Sequence, residues 1–138
     1  MQKVKEDPSL WKNAVDETLS FGTPIQIISR IAGDDIEVHG KHILNGQQLF
    51  IVLASGNRDP AHFPDPDRFD IMREVGRHLA FGMGPHYCLG SLLAEEEAKI
   101  ALETLFERFP DLKFDATRKK LWLTNARFHG LQSLPVVQ

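Results

Sequence analysis

One stretch gathers residue types able to hold a metal-bearing group: Phe81-Gly82-Met83-Gly84-Pro85-His86-Tyr87-Cys88-Leu89-Gly90. Cys88 is the only cysteine, and a lone cysteine is by default a small buried hydrophobe. Its surroundings argue otherwise. It stands just before a strongly helical segment, and the dipole and free N–H groups of a helix start favour thiolate, the form that binds metal. Gly82 and Gly84 let the backbone lie close to a bulky flat group, and Gly90 permits a tight lead into the helix. His86, two residues before the cysteine, can offer an N–H to an anion.

Several elements must position this loop. After it, Ala94, Ala98, Ala101, Leu102, Leu105 and Phe109 form an apolar helical stripe, with Glu95, Glu96, Glu97, Lys99 and Glu103 outside it and Pro110 at its end. Before it, Asn57 to Asp70 is interrupted by Pro60, Pro64 and Pro66, which predicts a meandering coil. An opening helix is capped by Asp7 or Ser9, carries Leu10, Trp11, Ala14, Val15 and Leu19, and stops at Gly22 and Pro24. Ile25 to Ile31 reads as a strand, Ile36–Val38 and His42–Leu44 as a hairpin about Gly40, and Leu49 to Ala54 as a strand passing into a short helix. Short strands at Lys113-Phe114, Leu121 to Leu123 and Leu131 to Val137 close the chain. The class is α+β in one unit, with a helix at 1–24, a small sheet at 25–56, the meander at 57–80, the cysteine loop at 81–90, a helix at 91–109 and strands at 110–138.

Composition narrows the functions. The 138 residues are 42% hydrophobic and 25% charged with net charge -3, an ordinary globular balance that argues against disorder and against binding nucleic acid by bulk positive charge. No apolar run approaches the roughly 20 residues that cross a bilayer. Charged residues soon after Met1 argue against a secretory signal, so the expected address is the cytoplasm. A single cysteine excludes an intrachain disulfide and a multi-cysteine metal cluster.

The pattern Phe-x-x-Gly-x-His-x-Cys-x-Gly, filled at every fixed position by Phe81, Gly84, His86, Cys88 and Gly90, resembles the haem-binding loop of the cytochrome P450 family. That resemblance implies that Cys88 is the axial thiolate of the iron of haem b (iron protoporphyrin IX). It also implies that Phe81 packs on the proximal side, that Gly82, Gly84 and Gly90 shape the loop, and that His86 and Arg30 bind the two propionates. Ile28 and Phe128 match positions that overlook the distal face and touch substrate, although as single residues they also read as core. The likeness extends through Asn13 to Leu19, Asn57 to Phe69 and Leu131 to Pro135. It implies the C-terminal part of the family fold: helix, small mixed sheet, proline-rich meander, haem loop, long amphipathic helix and C-terminal β hairpin. The parent reaction inserts one atom of O₂ into an organic substrate, with electrons delivered through a ferredoxin-type partner.

Three departures stand beside the match. A full monooxygenase of this family is several times longer, and its central helix with the acid–threonine pair has no counterpart here; independent monooxygenase activity is therefore not expected. The family's Glu-x-x-Arg motif reads Glu17-Thr18-Leu19-Ser20, so Glu17 is left to pair with the meander arginine, Arg68. Glu95 stands where the family usually has arginine, which is expected to weaken docking of an acidic ferredoxin. The apolar surface left open predicts self-association or pairing with a complementing chain. The competing reading is a non-catalytic remnant or interaction module, possible without haem.

Overall fold

In the computed structural model residues 2–73 and 76–138 are described. Helix α1 (Gln2–Glu6) leads through a 3-10 turn at Pro8–Leu10 into α2 (Trp11–Gly22). Asp7 caps that turn: its carboxylate accepts the Ser9 N–H at 3.0 Å and the Ser9 hydroxyl at 2.7 Å. The helix stops one residue later than glycine placement suggests. Gly22 is still helical, and Thr23 takes the left-handed position with φ of 34°. Thr23 tolerates it because its hydroxyl donates to the Ser20 carbonyl at 2.7 Å and accepts from Asn57 Nδ2 at 2.9 Å.

Strand β1 (Ile27–Ile31) pairs antiparallel with β4 (Gln48–Val52), Ile27 opposite Val52. Between them, β2 (Ile36–Val38) and β3 (Lys41–Ile43) form the hairpin. Its two tip residues, His39 and Gly40, both have positive φ, as the turn that matches strand twist demands. β1 begins two residues later than the sequence suggests, because the chain's tail occupies that edge. Ile25 bridges Phe128, and the Gln26 N–H donates to the Arg127 carbonyl at 2.8 Å. Helix α3 (Leu53–Gly56) follows β4 directly and buries Leu53. A Cβ on Gly56 would meet Leu79 Cδ1 at 2.5 Å, so this glycine lets α3 press against the segment entering the cysteine loop.

Helix α4 (Ser91–Arg108) leaves the loop and packs on α2, where Phe106 stacks on Trp11 with centroids 6.0 Å apart. The apolar stripe is only partly covered, with Ala98 and Leu102 half-buried. Leu105 and Phe109 are exposed, and so are Leu92, Leu93 and Ile100 on the rest of the helix. Apolar residues on more than one side mark a helix built for a larger body than α2 alone provides. The tail forms two ladders instead of one hairpin: β5 (Lys113–Phe114) with β8 (Val136–Val137), and β6 (Leu121–Trp122) with β7 (Leu131–Ser133). Pro135 lacks an N–H and separates β7 from β8, while its carbonyl accepts the Asp115 N–H at 3.0 Å. Among the described residues the buried apolar side chains are Val4, Trp11, Val15, Ala32, Leu53 and Ala80, and no helix is long and apolar enough to cross a membrane.

The cysteine loop as candidate cofactor site

The loop leaves buried Ala80 and is closed on itself by backbone bonds. The Cys88 N–H donates to the Phe81 carbonyl at 3.0 Å, the Tyr87 N–H to that of Gly84 at 3.0 Å, and the Gly82 N–H to that of Leu79 at 2.9 Å. Gly82 and Gly84 hold φ near +74° and +76°, backbone that a side chain would strain. Gly90 precedes Ser91, no side chain caps α4, and the Ser91 N–H donates to the Cys88 carbonyl at 3.3 Å. Phe81 is half-buried between His78, at 5.8 Å centroid to centroid, and Tyr87 at 6.4 Å.

This backbone presents Cys88 as an exposed free thiol, with His86 exposed in the turn before it. Met83, Leu89, Leu92 and Leu93 are exposed in the same stretch, Leu89 completely. A soft sulfur donor at the start of an uncapped helix, set among uncovered apolar side chains, suits a large apolar group that carries a metal and suits a small hydrophilic ligand poorly. The donor set therefore fits haem. Arg30 and Ile28 lie apart from the loop in sequence, on β1; Arg30 is exposed and donates to the Ser29 carbonyl at 2.8 Å, and Ile28 is half-buried. Phe128 is exposed beside the start of β1. Among the described residues no hydrogen bond joins Arg30 to the loop.

The network beneath the meander differs from expectation. Glu17 is 2% exposed and its partner is Arg73, whose Nε lies 3.3 Å from Oε2; the Asp70 N–H donates to Oε1 at 2.8 Å. Arg73 also donates to the carbonyls of Pro64, Asp65 and Arg68 and so ties the coil together. Arg68 turns to solvent, 68% exposed, beside Asp70 at 3.4 Å and Asp65 at 4.0 Å. The chain reverses at Asp70, which brings the next arginine, not Arg68, to the buried carboxylate. Ser20 lines a gap of about 10 Å³ with Glu17, Asn57 and Arg73, room for about one water and none for a guanidinium.

Two further positions bind the site to its support and were not singled out by sequence reasoning. Asn57, 2% exposed, spans from Thr23 to the segment before the loop, its Oδ1 accepting the Leu79 N–H at 2.7 Å. Arg58 lies 3.8 Å over the Phe21 ring and donates to the Phe21 carbonyl at 2.9 Å. In sequence both are ordinary turn residues; only burial distinguishes them.

The family model for cytochrome P450 matches residues 5–128. "Putative cytochrome P450 140" of Mycobacterium tuberculosis is 50% identical over 111 residues, 80% of this chain and 25% of that protein. "Biotin biosynthesis cytochrome P450" of Bacillus subtilis is 42% identical over 137 residues, 97% of this chain and 34% of that protein. Among solved structures, P450BioI in complex with a hexadecenoyl-ligated acyl carrier protein superposes with TM-score 0.93 at 41% identity, covering 99% of this chain and 35% of that one. CYP109E1 from Bacillus megaterium in complex with testosterone does so with TM-score 0.94 at 32% identity, covering 98% and 38%. The chain spans about a third or less of the length of these curated relatives. With the loop pattern, the match over nearly every residue and the C-terminal P450 architecture in agreement, this chain belongs to the cytochrome P450 family.

Proposed function

We propose that these 138 residues carry the haem-thiolate site of a bacterial-type P450 monooxygenase, with Cys88 as axial ligand of haem b. The observation that carries the reading is the exposed Cys88 thiol, held by the closed backbone of a loop that matches the family pattern at every fixed position. An axial thiolate lends electron density to haem iron and favours O–O cleavage. This chain's residues supply the binding. Phe81 and the loop glycines shape the surface that meets the ring, the His86 and Arg30 side chains bind the two propionates, and Ile28 and Phe128 face substrate. Glu17 and Arg73 fix the meander against α2 and so hold the loop's approach steady.

Oxygen insertion into an organic substrate is the activity of the whole protein to which such a site belongs; the proton relay that it needs has no acid–threonine counterpart in this sequence. Electrons come from a ferredoxin-type partner, in a cytoplasm that keeps the thiol reduced. The test is haemin titration of the purified chain. Arg30→Ala and His86→Ala each weaken uptake about tenfold through loss of a charge-assisted bond, while Arg118→Ala does not. Equal uptake by all three removes the propionate assignment.

A further inference from the structure

Apart from Cys88, a cleft of about 170 Å³ opens where α2, the segment entering the loop and α4 converge, lined by Lys12, Asp16, Arg77, His78, Tyr87 and Glu95. Three of these offer donor atoms that all lie within 4.8 Å of one another: the Asp16 carboxylate, the His78 imidazole and the Glu95 carboxylate. They come from three separate segments, so their convergence is a product of the fold and not of sequence neighbourhood.

His78 is the informative member. It is 9% exposed, its Nδ1 accepts the Ala80 N–H at 3.2 Å, and its Nε2 makes no hydrogen bond among the described residues. Burial holds its imidazole below the usual range, against the pull of Asp16 and Glu95. A mostly buried imidazole whose Nε2 has no protein partner among the described residues, lining a cleft with two carboxylates, makes a mixed nitrogen–oxygen donor set. We propose that Asp16, His78 and Glu95 bind one divalent ion of the zinc type, which uses His and carboxylate ligands about 2.0–2.2 Å from the metal.

Binding asks for two local changes. The Lys12 ammonium now holds one Asp16 oxygen at 2.6 Å, but its side chain is 62% exposed and free to swing away. The imidazole proton moves from Nε2 to Nδ1, which gives up the Ala80 bond. Arg77 stays over the Tyr87 ring, 4.8 Å from its centroid. The bound ion then staples α2 and α4 to the segment that enters the cysteine loop, and three protein ligands leave a fourth position for water.

The test removes the competing thiol. Cobalt(II) is titrated into the Cys88→Ala chain at about pH 7.5 and followed by its visible d–d absorption, with zinc as competitor. One saturable site is expected, weakened about tenfold or more by Glu95→Gln and tightened by Lys12→Gln, with zinc raising the melting temperature only while Glu95 is present. Absence of saturable uptake, or uptake unchanged in Glu95→Gln, overturns the proposal. Haem plays no part in this readout, so its outcome is independent of the assignment of Cys88.

Discussion

Glu17 is a carboxylate removed from water and answered by one arginine and one backbone N–H. A buried charge stripped of its partner is far more costly than a surface pair that is broken. Arg73→Ala is therefore expected to destabilise the chain by about 3–5 kcal/mol, and Arg68→Ala by no more than about 1 kcal/mol. Urea unfolding of both variants decides it; equal losses contradict the pairing. The same turn gives a pH dependence. Asp70 is held below the usual carboxylate range first by the Met72 N–H, which it accepts at 3.0 Å, and then by Arg68. A carboxylate lowered in the folded state contributes stability above its unfolded pKa, and that contribution is lost as pH falls through the folded value. Asp70→Asn should thus lower stability near neutrality and flatten the acid limb of the stability–pH curve below about pH 4, the variant and the parent converging at the lowest pH. Glycines, prolines and the lone cysteine are legible because each restricts the backbone or the chemistry by its own type. The choice between Arg68 and Arg73 is not, since it depends on where the coil reverses, and the two arginines are chemically identical.

At the scale of elements, strong local signals were readable. The helix after the loop, the hairpin about Gly40 and the coil set by Pro60, Pro64 and Pro66 follow from periodicity and backbone restriction. The packed faces of α4 were less readable, because side chains on several faces are apolar and a single stripe cannot be picked out by spacing. The apolar run ending at Ala54 passes from strand to short helix as read, with the change at Leu53, although a run that short discloses no period by itself. Glu95 sits half-buried in the first turns of α4, and Glu96 and Glu97 are exposed beside it. If a ferredoxin-type donor approaches this end of the helix, acidic meets acidic. Glu95→Arg is then expected to speed reduction of the haem-loaded protein several-fold at low salt, an advantage that fades as salt rises. Stopped-flow reduction checks this, and identical rates at low salt would sink it.

The whole molecule exposes 10219 Å². A compact monomer of 15.6 kDa exposes about 7,200 Å². The excess, about 3,000 Å² on this one chain, reaches the large end of what one side of a permanent interface covers, the two sides together burying roughly 2,000–5,000 Å² or more. It coincides with uncovered Leu89, Leu92, Leu93 and Ile100 on α4, and with a cavity of about 1100 Å³ between Phe106, Phe109 and Phe114 and the last strand. Surface of this kind predicts dye binding and concentration-dependent association of the chain in isolation. Sedimentation velocity showing a monodisperse monomer that also melts cooperatively would contradict it.

The central claim is ligation of haem iron by Cys88, and the most direct measurement is the absorption spectrum of the haem-reconstituted chain, reduced and exposed to carbon monoxide, beside that of Cys88→Ala. A strongly red-shifted Soret band that the substitution abolishes is the predicted result. No haem uptake, or a spectrum indifferent to Cys88, would mean that the loop has kept its shape without its chemistry.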